Sequence, residues 1–276
     1  MAKLVLIGIV LFFSSCSNDD NTSPELENEI DYIFEDGFET RENDLLELFP
    51  DNGSRWSNLQ LVDPESGENK IDIESNITNE GNNSLRIYAA ASDNTLSKAD
   101  IEKSGFRAPE GSTVIIRANF YIASTNNIEN LLLIDLECCS CWDPDVPDNQ
   151  CPGIRLMMKD NDHLSIERGK ILNSTIVQSE VAFPRNEWVN VVWELELSQN
   201  SDGINKLFIN NHEVISESGI NMPNASLFKT EFANNGIDFE LQEPLFYERF
   251  QIGATANPTP FSIELFIDDA KIEITN

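Results

Sequence analysis

The chain has 276 residues, 48 acidic and 18 basic, and its formal net charge of −30 argues against a nucleic-acid partner. Hydrophobic residues make up 40% and aromatic residues 9%, enough for a sizeable core, so the acidity belongs to a solvated surface rather than a disordered tail. An anionic ligand would have to be captured by a local basic patch working against the overall field.

Residues 1–15 read as a signal peptide, with a single Lys3, the apolar run Leu4–Phe13, and Ser14-Ser15 ahead of Cys16. The run is well short of the ~20 residues that a bilayer span needs. Phe13-Ser14-Ser15-Cys16 resembles a bacterial lipobox, which implies a lipidated, palmitate-bearing Cys16 at the mature N-terminus. The Ser17-Asn18-Asp19-Asp20 that follows resembles the acidic export signal of outer-face lipoproteins in Gram-negative polysaccharide degraders. The implied location is the outer membrane, facing the exterior. Residues 16–32 then comprise the lipidated cysteine and an acidic tether, and residues 33–276 a single domain.

Beyond the tether, short alternating runs broken by Asn, Gly, Asp and Pro predict an all-β class. The clear strands are Ser84–Ala90, Thr113–Ala123, Leu131–Glu137, Gly153–Lys159, His163–Lys170, Trp188–Leu197, Lys206–Asn210, Glu213–Ser216, Glu248–Ala254 and Ile263–Ile274. So many strands in one uninterrupted region favour a two-sheet sandwich. Cys138, Cys139, Cys141 and Cys151 lie close together; in an oxidising compartment they predict two disulfides, with zinc as the alternative. A direct Cys138–Cys139 bridge would be strained, so each pairs with Cys141 or Cys151.

Several motifs carry a family resemblance. Phe34-Glu35-Asp36-Gly37-Phe38-Glu39, Glu80 to Arg86, the hairpin Leu207 to Val214 and the closing Leu265-Phe266-Ile267-Asp268-Asp269-Ala270 resemble the concanavalin A-like superfamily. That resemblance implies an antiparallel jelly-roll sandwich. The superfamily includes laminarinase-type hydrolases, alginate-lyase-like enzymes and glycan-binding modules without catalysis. Leu133-Ile134-Asp135-Leu136-Glu137 is similar to the hydrolase strand E-x-D-x-E, but Leu133 stands where the first carboxylate belongs, so hydrolysis is not expected. Phe250 to Thr255 occupies the place of the lyase strand K-x-G-x-Y, with Thr255 in the position of a tyrosine that serves as base and acid. A lyase would take its base from elsewhere, and Tyr88, Tyr121, Lys98 and His163 are the candidates.

Alternation supplies an independent reading. In Thr113–Ala123, Arg117, Asn119 and Tyr121 oppose a fully apolar set. The same bookkeeping puts Arg86 with Tyr88, Arg155 with Lys159, and Arg249 with Gln251 on non-core faces. If these strands share one sheet, they form a basic groove for uronate or sulfate groups; if not, the cations are solvent-facing partners of nearby carboxylates. Lys98 and Asp100 resemble the charged strand that lines the groove of several polysaccharide lyases. Trp142 is a candidate sugar-stacking platform. Calcium could bind through Asp143, Asp145 and Asp148, or through Asp36 with Asp268 where the first and last strands approach; no other cofactor is expected.

The leading expectation is a surface lipoprotein that binds an acidic polysaccharide and presents it to surface enzymes or a glycan importer. The alternatives are a lyase cleaving an alginate- or ulvan-like uronic-acid glycan by β-elimination, and a structural or adhesive protein without a glycan site.

Overall fold

The computed structural model describes residues 31–92, 97–142, 151–169, 174–234, 236–238 and 240–276. The signal peptide, Cys16, the tether to residue 30, and Asp143, Asp145 and Asp148 lie outside the described residues. In chain order the strands are β1 (Tyr32–Asp36), β2 (Asn58–Val62), β3 (Lys70–Glu74), β4 (Ser84–Ala89), β5 (Lys98–Pro109), β6 (Thr113–Ala123), β7 (Asn130–Glu137) and β8 (Gly153–Lys159). They continue as β9 (His163–Gly169), β10 (Ser174–Ala182), β11 (Trp188–Glu196), β12 (Ile204–Ile209) and β13 (His212–Ser218); helix α1 (Ala225–Asn234) precedes β14 (Phe246–Ala256) and β15 (Ile263–Thr275).

Two antiparallel sheets result. Sheet A runs β13-β12-β11-β6-β15-β4-β3, with β1 also paired to β15, and sheet B runs β10-β9-β8-β7-β14-β5-β2. The core lies between them because one residue in two points inward along each strand. Val114, Ile116, Ala118, Phe120 and Ile122 of β6 are all buried, as are Trp193 of β11 and Phe250 and Ile252 of β14. This is the expected all-β jelly-roll sandwich, and each of the ten predicted strands has its counterpart.

Five strands and the helix were not among those ten. β5 is the longest of the missed strands, and its Glu102-Lys103-Ser104-Gly105 segment carries the residues of a turn. Gly105, at φ +94°, instead forms a bulge that keeps the strand paired to β14. β10 is an edge strand with two register shifts, which hide its alternation. α1 is capped by Asn224, whose side-chain oxygen accepts the Leu227 N–H at 2.8 Å, and it buries Phe228.

The disulfides are Cys138–Cys141 and Cys139–Cys151, which takes the sulfurs out of reach of zinc and closes the loop that follows β7. Trp142 in that loop is not a platform: it is 5% exposed and packs edge-on against Phe232 of α1. Burial of the indole face leaves nothing for a sugar to stack on.

Candidate functional site

The sandwich has two outer faces, and the predicted groove residues divide between them. Arg86 and Tyr88 (β4) and Arg117, Asn119 and Tyr121 (β6) belong to sheet A, whereas Lys98 (β5), Arg155 (β8) and Arg249 (β14) belong to sheet B. A single groove holding all of them is therefore not what the fold builds, because alternation assigns a face within a strand but not the sheet. The catalytic candidates split the same way: Tyr88 and Tyr121 lie on sheet A, Lys98 and His163 on sheet B. His163 opens β9, four strand spacings and so roughly 19 Å across the sheet from β5, and its Nδ1 lies 2.7 Å from the Asp160 carbonyl. It does not join Lys98.

Sheet B carries a recessed, densely charged outer face. Asp100 and Glu102 of β5, Asp135 and Glu137 of β7, Glu167 of β9 and Gln251 of β14 are all buried, although their strand positions point away from the core. Buried charges need partners, and each has a neighbour across the ladder. Lys98 Nζ lies 3.4 Å from Asp100 Oδ2 and donates to Gln251 Oε1 at 3.2 Å. Arg249 bridges Glu102 and Glu137, both at 3.2 Å. Arg155 Nε meets Asp135 Oδ2 at 3.2 Å, and Lys159 pairs with Glu167.

Glycines make room for this arrangement. A Cβ at Gly169 would fall 2.5 Å from Arg155 Nε, and one at Gly153 would fall 2.7 Å from Asp135 Oδ1. Gly253, paired with Asp100, has φ +144° where β14 bulges away from β7. A matching bulge in β7 turns Leu133 into the core. The adjoining outward position, opposite Met157, is Leu132, so the site of the absent hydrolase carboxylate is apolar in either register.

Asp100 is the electrostatic centre of the face. Burial raises its pKa from 3.8 to about 7, the Lys98 ammonium opposes that rise, and the Glu102 and Asp135 charges add to it. Neither Asp100 oxygen has a hydrogen-bond partner, and Thr255 Oγ1 is also buried without one. In the strand that resembles K-x-G-x-Y, Gln251 holds the lysine position; Lys98, from the neighbouring strand, brings its ammonium to that glutamine.

The chain has four tyrosines and none lies on this face. Tyr88 and Tyr121 are on sheet A, Tyr32 packs against Phe106, and buried Tyr247 donates its hydroxyl to the Asn221 carbonyl at 2.7 Å. The residues that sequence reasoning left out are mainly Glu102 and Arg107 of β5. The charge alternation Lys98, Asp100, Glu102 was the available signal.

The candidate calcium pair is otherwise engaged. Asp36 accepts from Arg55 Nε at 2.8 Å and from Arg55 Nη2 at 2.5 Å. Asp268 accepts the backbone N–H groups of Asn79, Glu80 and Asp269, while burial raises its pKa to about 6. A cation at Asp36 would have to displace a guanidinium that already neutralises it.

The family profile described as polysaccharide lyase matches residues 52–233, more than half of the chain. The chain belongs to the polysaccharide lyase family. The matched region of this polysaccharide lyase family member runs from before β2 to the end of α1 and so includes Lys98, Asp135 and Arg155. In fold it is similar to an endo-β-1,4-glucuronan lyase from the fungus Trichoderma reesei, at TM-score 0.57 and 11% identity over 79% of this chain and 90% of that one. It is also similar to a cellulose-induced protein, at TM-score 0.54 and 12% identity over 87% of this chain and 96% of that one. A third likeness is an alginate lyase variant in complex with an alginate trisaccharide, at TM-score 0.54 and 10% identity over 88% of this chain and 98% of that one. No curated protein matches the chain.

Proposed function

We propose that this protein is a lipid-anchored, exterior-facing outer-membrane lyase that cleaves a uronate-bearing polysaccharide by β-elimination on the recessed face of sheet B. The observation that carries the reading is the Lys98 ammonium, held between buried Asp100 and Gln251, in a chain of the polysaccharide lyase family. Glucuronan and alginate, named for two of the similar structures, are both uronic-acid polymers, which supports an acidic substrate.

β-Elimination needs a base at the C5 proton, relief of the adjacent carboxylate's charge, and a proton for the departing glycosidic oxygen. With no tyrosine on the face, Lys98 takes the proton-moving role. Asp100, whose carboxyl pKa burial raises to about 7, takes the Lys98 proton and becomes a neutral acid, which leaves the amine to act as the base. The amine takes the C5 proton, the C–H electron pair becomes the C4=C5 double bond, and the C4–O bond breaks. The resulting ammonium returns the proton to the leaving oxygen, so no net proton is consumed. Arg249 and Arg155, flanking Gln251 through Glu102 and Asp135, supply positive charge for the uronate carboxylate.

The test is the ultraviolet absorbance of unsaturated uronate during incubation with glucuronan, alginate and ulvan. Reducing ends released without unsaturated product would refute elimination. A second reading, binding without cleavage, rests on the fact that Lys98, Arg155, Lys159 and Arg249 each already have a carboxylate partner. It predicts retention on acidic glycan gels with no absorbance change. The anchor is tested by Cys16→Ser, which should move the protein from the membrane to the soluble fraction; unchanged fractionation would refute it.

A further inference from the structure

We propose that Arg107 forms a second uronate-recognising subsite on sheet B, beside the Lys98 centre, which holds a neighbouring sugar of the same glycan chain. The inference rests on the glycan-directed reading of this face but not on elimination.

Regular alternation from Lys98 through Asp100, Glu102 and Ser104 would turn residue 106 outward and residue 107 inward. The bulge at Gly105, where the four steps from Ser104 to Ala108 face the two from Arg249 to Tyr247, breaks that alternation. Beyond it Phe106, packed against Tyr32, and Ala108 are buried, while Arg107 is exposed. The Arg107 guanidinium carbon lies 4.7 Å from the centre of the Phe246 ring.

Two features make this a site rather than a surface arginine. Arg107 and Arg249 line one surface pocket of about 550 Å³, together with Ser104, Gly105, Glu248 and Cys139. Lys98, Arg155, Lys159 and Arg249 are each paired with a carboxylate, whereas no described carboxylate pairs with Arg107. The acidic groups beside it are committed elsewhere: Glu102 accepts from Arg249, Gln60 and Gln251, and Glu248 accepts the Ser140 N–H at 2.6 Å. An unpaired guanidinium over an aromatic ring, facing an open pocket, fits a sugar carboxylate through two parallel N–H···O bonds. The Lys98 ammonium reaches Gln251, whose amide donates to the Glu102 carboxylate that Arg249 also meets, so the pocket opens beside the Lys98 centre and the sugar held here is a near neighbour of the one that is cleaved.

The experiment compares the full-length protein with Arg107→Ala and Arg107→Lys, using alginate polymer and a neutral β-glucan polymer as probes. Affinity electrophoresis measures binding, and unsaturated-product formation is followed in parallel. Arg107→Ala should weaken alginate binding about tenfold, the loss of one charge-assisted pair, and raise KM for alginate without lowering kcat. Retention by the neutral glucan should not change, and Arg107→Lys should recover only part of the loss because an ammonium cannot pair bidentately. Equal alginate binding by wild type and Arg107→Ala would overturn the proposal, as would an equal loss for the neutral glucan or a wild type that binds no uronate polymer. Arg107-dependent binding without product would refute elimination and leave the subsite standing.

Discussion

On the outer face of sheet A, Arg117 keeps 41% of its side chain in solvent and meets Glu273 at 3.5 Å, while on sheet B Arg155 keeps 12% and meets an Asp135 carboxylate that is 1% exposed. The two arginines occupy equivalent outward positions in strands of the same sandwich. What differs is the depth of the face, and with it the consequence of removing a charge. A screened surface pair contributes little, whereas a buried pair leaves an uncompensated charge when one partner goes. Lone charges and open amines are therefore chemically potent only on sheet B.

Substitutions on the two faces should separate this comparison sharply. The largest effect is expected from Lys98→Ala, which should reduce formation of unsaturated product by about 10²–10⁴-fold, whereas Tyr121→Phe and Tyr88→Phe should leave the rate unchanged. A product rate that followed Tyr121 would move the chemistry to sheet A. Next, Arg155→Ala should cost about 3 kcal/mol in denaturant unfolding, because it strands Asp135.

The third expectation concerns pH. Since burial lifts Asp100 from 3.8 to about 7, the native protein holds that proton more tightly than the unfolded chain does. Stability from this group is complete below about pH 4 and is lost as the pH rises through about 7. Asp100→Asn should flatten the decline, changing the stability difference between about pH 4 and about pH 8 by on the order of 4 kcal/mol. A pH profile unaltered by the substitution would mean that Asp100 ionises as it does in water. The smallest effect is Arg117→Ala, at most ~0.5 kcal/mol by the same unfolding measurement.

The sequence made the sandwich legible because β6, β8, β11 and β15 alternate cleanly between a hydrophobic core and polar outer positions. It disclosed the disulfide framework through the crowding of Cys138, Cys139, Cys141 and Cys151. Lys98, Arg155 and Arg249 were also recognisable as outward-facing cations. Their separation from Arg86, Arg117 and Tyr121 was not, since sheet membership depends on which strands pair across long separations. Arg107 was hidden for a different reason: a single glycine bulge breaks the inward and outward alternation in the second half of β5, and a period-two reading carries straight through it.

The absence of indole and phenol rings from the recessed face also governs how binding there can be observed. Trp56 and Trp193 are in the core, Trp142 is packed against α1, and Trp188 lies beside Tyr121 on sheet A. A glycan seated on sheet B should leave intrinsic fluorescence nearly silent while its affinity falls steeply with added salt, since charge rather than ring stacking holds it. A glycan on sheet A would quench Trp188 and respond less to salt. One fluorescence titration at two ionic strengths thus assigns a bound sugar to its face, and a tryptophan introduced at Met157 would give the silent face its own optical signal.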